Sequence, residues 1–83
     1  MSKFEPLRQY LLAQTSDVVT LSLARIGALV PLPAPAKRYA FWWSNEDVST
    51  TVHVQCKAWQ DAGFEAEPNL RGKSVVFRRR RPT

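Results

Sequence analysis

The side chains with the clearest potential for chemistry are the basic residues towards the end of the chain. Residues 68–83 contain six basic residues and no acidic one, namely Arg71, Lys73, Arg78, Arg79, Arg80 and Arg81. Residues 1–30 have a net charge of +1 and residues 31–67 a net charge of −2, so the total of +5 arises at this end. Such asymmetry is typical of proteins that bind a polyanion, where lysines and arginines contact phosphates. The simpler alternative is a solvated tail that aids solubility.

Two further groups of polar residues could extend such a surface. Lys37 and Arg38 follow a proline-rich segment and would lie near the start of a helix. At 100° per residue, His53, Lys57 and Gln60 share one side of another predicted helix, and this side could meet phosphates or base edges. An exposed polar side is also what any surface helix presents.

The same inventory of residues predicts no catalytic site. His53 is the only histidine and Cys56 the only cysteine, so the usual metal ligands are missing and no internal disulfide can form. The chain has no glycine-rich phosphate loop and no credible Ser-His-Asp set, and 83 residues leave little room for a closed pocket. We therefore expect a binding protein without a cofactor rather than an enzyme.

The distribution of apolar residues argues against a membrane location. No stretch approaches eighteen apolar residues, and the N-terminus lacks the basic and apolar regions of an export signal. A lone cysteine suits a reducing compartment. These features predict a cytoplasmic protein.

In the first half of the chain, apolar residues recur mainly at helical spacing. Residues 4–14 should form an amphipathic helix, opened by a capping box that begins at Ser2. Residues 18–21 alternate as a short strand, after which Ser22 can cap a second helix. The prolines at 31–35 then form a rigid, extended connector.

A third and a fourth helix are predicted on either side of residue 45. Residues 35–43 should continue as one helix after the connector. Together with the preceding helix, this segment has about the length of a helix-turn-helix, which would put Lys37 and Arg38 near the start of a reading helix. Residues 52–62 should form the fourth helix, which Gly63 ends.

The last third of the chain has the pattern of a β-hairpin. Residues 64–67 alternate between apolar and acidic side chains, residues 74–78 are again β-prone, and the turn should lie around Gly72. Phe64, Ala66, Val75 and Phe77 would then face the core. Arg71 and Lys73 would lie at the hairpin tip.

This order of elements predicts an α+β fold that resembles a winged helix with one extra helical segment. It has three to four helices, a short strand and a C-terminal antiparallel β-hairpin. Residues 1–79 would form a single winged-helix-like domain, and residues 80–83 a basic tail. The hairpin would rest on the DNA backbone as a wing while the preceding helix enters the major groove. The predicted function is therefore binding of duplex DNA, mostly through its backbone, and Glu65 and Glu67 must lie away from that surface.

A protein-interaction module is the alternative. An exposed tryptophan and an arginine-rich edge are common interface anchors, and Trp42 or Trp43 could be exposed. An inhibitor or adaptor of phage or mobile-element origin would have this character. A continuous basic surface from the hairpin tip to the long helix and Lys37 favours nucleic acid as the partner, whereas an apolar patch around a tryptophan favours protein.

A series of residues along most of the chain resembles a family of small bacterial proteins of unknown function. The resemblance rests on Leu32-Pro33, Ala36, Tyr39, Trp42-Trp43-Ser44-Asn45, His53-Val54-Gln55, Ala58-Trp59, Ala62-Gly63 and Val76-Phe77-Arg78. The earlier segments Phe4-Glu5-Pro6-Leu7 and Val19-Thr20-Leu21-Ser22 are also similar to that family. The resemblance implies no particular activity.

Overall fold

A three-stranded antiparallel sheet forms one layer of the fold. The computed structural model describes residues 3–47, 49–50 and 55–80. Within these ranges the elements, in chain order, are helix α1 (Glu5–Leu12), strand β1 (Val18–Ser22), helix α2 (Leu23–Leu29), helix α3 (Ala34–Arg38), a 3₁₀ turn (Ala40–Trp43), helix α4 (Gln55–Gln60), strand β2 (Phe64–Asn69) and strand β3 (Ser74–Arg79). The strand order is β1-β3-β2. The predicted α+β class and the C-terminal hairpin are confirmed.

Alternation along the strands divides the sheet into a core face and an outer face. The predicted inward residues of the hairpin, Phe64, Ala66, Val75 and Phe77, are all buried, as expected for a period of two. The outer face has a central charged strip, because Glu65 lies opposite Arg78 across β2 and β3. The hairpin tip lies at the same end of the sheet as the end of β1.

Helix α1 matches its prediction except at the ends. It buries Leu7 and Leu11 on one side, and it begins after Phe4 without a side-chain cap. Glu5 instead accepts hydrogen bonds from the side chain of Arg8, with Nη2 at 2.7 Å. Ser2 of the predicted capping box lies outside the described residues.

The predicted cap of α2 is present, because the Arg25 backbone N–H donates to Ser22 Oγ at 3.0 Å. The continuous helix predicted for residues 35–43, however, is wrong. Helix α3 ends at Arg38, Tyr39 is extended with φ −124° and ψ 121°, and the 3₁₀ turn follows. In a continuous helix the Ala36 carbonyl would accept from residue 40, but here it accepts from Trp43 Nε1 at 2.8 Å. This bond turns Trp43 into the core.

Tryptophans hold the helical layer on the sheet. Trp43 and Trp59 are buried, with ring centroids 5.4 Å apart and planes inclined by 30°. Gln55 Nε2 donates to the carbonyl of Trp42, in the 3₁₀ turn, at 3.3 Å. These contacts join α4 to the segment that precedes it.

Helix α4 ends at Gln60, two residues before the predicted end at residue 62, and the turn that follows reaches Gly63. The described part of the helix runs from Gln55 to Gln60, and residues 52–54 of the predicted helix lie outside the described residues. Gly63 has φ +89°, a left-handed conformation that glycine adopts without strain. The chain turns there into β2.

Candidate nucleic-acid interface

The hairpin tip is a tightly built turn that projects two basic side chains. The Lys73 N–H donates to the Leu70 carbonyl at 3.2 Å, and the Gly72 N–H donates to Asn69 Oδ1 at 3.0 Å. A Cβ atom on Gly72 would lie 2.8 Å from Asn69 Nδ2, so this position favours glycine. Arg71 and Lys73 on either side of it are exposed.

Lys73 has an unusual backbone. Its φ of +54° lies in the left-handed region, where a residue with a Cβ atom pays about 1 kcal/mol or more. Its carbonyl accepts from the Leu23 N–H at 2.9 Å, which fixes the tip against the start of α2. Glycine would adopt this conformation without strain, yet the position is occupied by a cationic residue.

The tip, α2 and the segment leading into α3 enclose a groove of about 580 Å³, which we call the tip groove. Its lining consists of Leu23, Ala24, Gly27, Leu32, Lys37, Leu70 and Lys73. Two lysines from distant parts of the chain therefore flank an apolar floor. Arg38 and Arg71 are exposed next to them in the chain, and none of these four cations forms an ion pair with a described residue.

The acidic residues are placed away from the tip groove. All seven acids of the chain fall within the described residues: Glu5, Asp17, Glu46, Asp47, Asp61, Glu65 and Glu67. None of them lines the tip groove. Four of them form ion pairs with arginines elsewhere. The tip groove is consequently a basic surface on a protein whose remaining surface is mixed in charge.

The arginines at the end of β3 lie at the other end of the sheet from the tip, roughly 15 Å away at the rise of a strand. Arg78 pairs with Glu67, and Arg80 Nε lies 3.5 Å from Glu65 Oε1. The acidic positions of β2 thus neutralise these two arginines on the outer face. Arg81 lies outside the described residues.

Arg79 points to the other side of the sheet and holds the loop before β1. Its guanidinium donates to Asp17 Oδ1 at 3.0 Å and to the Gln14 and Ser16 carbonyls at 3.1 and 3.3 Å. The same group lies over the Phe64 ring, 4.6 Å from its centroid. These contacts give Arg79 a role in the fold, and its predicted contact with nucleic acid stays a prediction.

The polar side predicted for α4 is not brought to the tip groove. Lys57 lines a separate groove of about 410 Å³ together with Arg8 and Asp61. Gln60 Nε2 donates to the Glu46 carbonyl at 2.8 Å. Every residue from 55 to 60 is buried or half-buried, so this part of α4 has no free side that could enter a major groove. His53 lies outside the described residues.

The exposed tryptophan that the sequence suggested is not present, because Trp43 and Trp59 are buried and Trp42 packs against the core. The exposed aromatic residues of the described chain are Tyr39, at 51%, and Phe41, at 66%. The sequence pattern places both residues in one continuous helix, so it does not single them out as exposed. The break at Tyr39 is what turns them outward.

Other kinds of site find no support in the described residues. No cluster of three or more His, Cys, Asp or Glu side chains there could hold a metal ion. Cys56 is buried, and desolvation raises the pKa of its thiol, as expected for a cysteine that packs as a small apolar residue. None of the described helices has the length and apolar character needed to cross a membrane.

The fold and the site together define a small α+β domain with a basic groove beside the tip of its C-terminal hairpin. The chain belongs to a family described as a domain of unknown function (DUF7662), whose model matches residues 4–81. This agrees with the resemblance to an uncharacterised family. Searches of curated proteins and of solved structures found no match.

Proposed function

We propose that this protein binds DNA through the phosphate backbone, with the tip groove as its contact surface. The observation that carries the proposal is that Lys37 and Lys73, from separate elements, flank one groove that no acidic residue lines. Cations that are close in space and lack acidic partners are suited to replace the counterions of a phosphate backbone. Arg38 and Arg71 extend the same positive surface.

The hairpin tip serves as the wing of this contact. Its turn is held by Asn69 and by the hydrogen bond from the Leu23 N–H to the Lys73 carbonyl. Little backbone conformational entropy is therefore lost when Arg71 and Lys73 contact phosphates. Because the described part of α4 is buried or half-buried, contact with the DNA backbone is favoured over contact between α4 side chains and base edges. Four phosphate contacts predict that log K falls with log salt with a slope of about −3 to −4.

The test compares two double variants that change the net charge equally. Lys37→Gln with Lys73→Gln removes two charges from the tip groove, whereas Arg78→Gln with Arg80→Gln removes two from the paired arginines. Fluorescence anisotropy with a labelled random duplex across a salt series gives Kd and slope, and circular dichroism checks folding. Wild type should bind in the micromolar range at low salt, and the lysine variant should lose roughly tenfold or more and flatten the slope by about 2.

The arginine variant should retain most of the affinity because its charges are already paired on the outer face. Equal losses in the two variants would mean that net charge alone drives binding, and absence of binding by the wild type at low salt would refute the proposal. A protein-interaction module remains the alternative, although Trp43 and Trp59 are buried and Trp42 is half-buried against the core. The proposal places the protein in the cytoplasm, the reducing setting expected from its single cysteine.

A further inference from the structure

Two aromatic rings stand on the surface immediately after the cations of α3. Tyr39 is 51% and Phe41 66% exposed, and their ring centroids are 5.5 Å apart with planes inclined by 32°. Neither ring belongs to the buried core. A pair of neighbouring aromatic faces left in water contributes little to folding, so its presence calls for another explanation.

The surrounding backbone holds this ring pair in place. The Tyr39 N–H donates to the Pro35 carbonyl at 2.9 Å, and the Tyr39 carbonyl accepts from the Trp42 N–H at 3.2 Å. The bond from Trp43 Nε1 to the Ala36 carbonyl anchors the segment on both sides of the break. The rings are therefore presented by a fixed turn, which reduces the entropy lost when a flat partner stacks on them.

We propose that Tyr39 and Phe41 stack unpaired bases, so that the DNA bound by this protein has a single-stranded stretch next to its duplex. This inference rests on the DNA contact proposed for the tip groove. Stacking on aromatic faces beside cations that follow the backbone is how proteins hold single strands. The Cα atoms of Lys37 and Tyr39 are at most about 7 Å apart along the chain, so one strand can meet both groups.

The charges next to the ring pair favour nucleic acid. Lys37 and Arg38 directly precede Tyr39 in the chain, are exposed, and form no ion pair with a described residue. A strand whose bases stack on the rings can therefore place its phosphates at these two cations.

The test uses three labelled probes with the same duplex: a blunt duplex, a duplex with a mixed-sequence overhang, and a duplex with an abasic overhang of equal length. Wild type should bind the mixed-sequence overhang at least about fivefold more tightly than the abasic one, because stacking acts on bases and not on phosphates. Tyr39→Leu with Phe41→Leu should abolish that difference and leave blunt-duplex binding unchanged. Leu12→Ala, which alters an apolar residue of α1 that is 49% exposed, should change neither.

Different outcomes separate this inference from the function on which it rests. Base stacking would be overturned if the wild type bound the two overhangs with equal affinity, or if the difference survived the double leucine substitution. Binding of the blunt duplex in the same experiment would still support the tip groove. Loss of binding to all three probes in Lys37→Gln with Lys73→Gln would support the tip groove alone. No binding of any probe by the wild type would overturn both. A dimer in sedimentation velocity that the leucine substitutions dissociate would assign the rings to contact between copies and overturn base stacking.

Discussion

Replacing the side chain of Asn45 should destabilise the protein strongly, because three hydrogen bonds depend on it. Its carboxamide donates from Nδ2 to the Ala66 carbonyl at 3.0 Å, and its Oδ1 accepts from the Ala66 N–H at 2.8 Å and from Trp59 Nε1 at 2.9 Å. It thereby imitates a neighbouring strand at the free edge of β2 and also satisfies the indole of Trp59, which is fully buried. Alanine at this position removes all three bonds.

The expected loss follows from these bonds. A buried donor without a partner costs about 1–3 kcal/mol, and each bond to Ala66 contributes about 0.5–1.5 kcal/mol because water can replace it only partly. Asn45→Ala should therefore lower the free energy of unfolding by about 2–6 kcal/mol. For a domain of this length, total stability is on the order of 4–12 kcal/mol, and Tm should fall by at least about 10 °C.

Urea unfolding followed by tryptophan fluorescence measures the loss, and a double-mutant cycle assigns it. Trp59→Phe removes the indole N–H, so Asn45→Ala should cost about 1–3 kcal/mol less in that background. Asn69→Ala is the matched control, because Asn69 accepts one exposed bond from Gly72 and should cost about 1 kcal/mol. A loss below about 1 kcal/mol for Asn45→Ala, or additivity in the cycle, would refute the reasoning.

Three further predictions concern single charged residues. Arg79→Gln should cost about 1–2 kcal/mol in urea unfolding, and Arg79→Lys should recover less than half, because only a planar fork reaches Asp17 and two carbonyls together; full recovery by lysine would contradict this. Lys73→Gly should raise stability by up to about 1 kcal/mol by relieving its left-handed backbone while weakening duplex binding severalfold, as measured by thermal melts and anisotropy; a lower Tm would argue against strain at this turn. Hydrogen bonds from Arg8 and Gln9 lower the pKa of Glu5 below 4.5, so its stabilisation is present above that pH and is lost as pH falls through the folded-state pKa. Glu5→Gln should therefore reduce Tm at about pH 7 and not at about pH 2, and an equal reduction at both would exclude the charge as the cause.

The elements that the sequence predicted well are those specified by local signals. The hairpin follows from the alternation of apolar and acidic residues over 64–67, the β-prone residues 74–78 and a glycine in the turn. The start of α2 follows from Ser22, whose hydroxyl accepts the bond expected of a cap, and the end of α4 from the φ > 0 of Gly63. Each depends on residues within a few positions, so no knowledge of the tertiary fold was needed.

The break at Tyr39 could not be predicted in this way. The sequence from 35 to 43 contains no glycine and no internal proline after its first residue, so local preference favours one helix. Burying the whole indole of Trp43, with its N–H donating to the Ala36 carbonyl, stabilises the fold by more than one additional turn of helix would. The helix therefore breaks at Tyr39. A tertiary contact therefore created the exposed aromatic pair, which no periodicity in the sequence places on the surface.

The location of free positive charge depends on the register of the hairpin. In the sequence, residues 78–81 form an uninterrupted run of arginines. The strand pairing, however, puts Glu65 opposite Arg78 and brings Glu67 within reach of it. An arginine in a strand can find an acid on the neighbouring strand, whereas residues of a turn have no strand beside them. Within the described hairpin, the unpaired cations are consequently Arg71 and Lys73 at the turn, and Lys37 joins them because it lines the same groove as Lys73. Register, rather than the number of arginines, is what moves the candidate interface from the end of β3 to the hairpin tip.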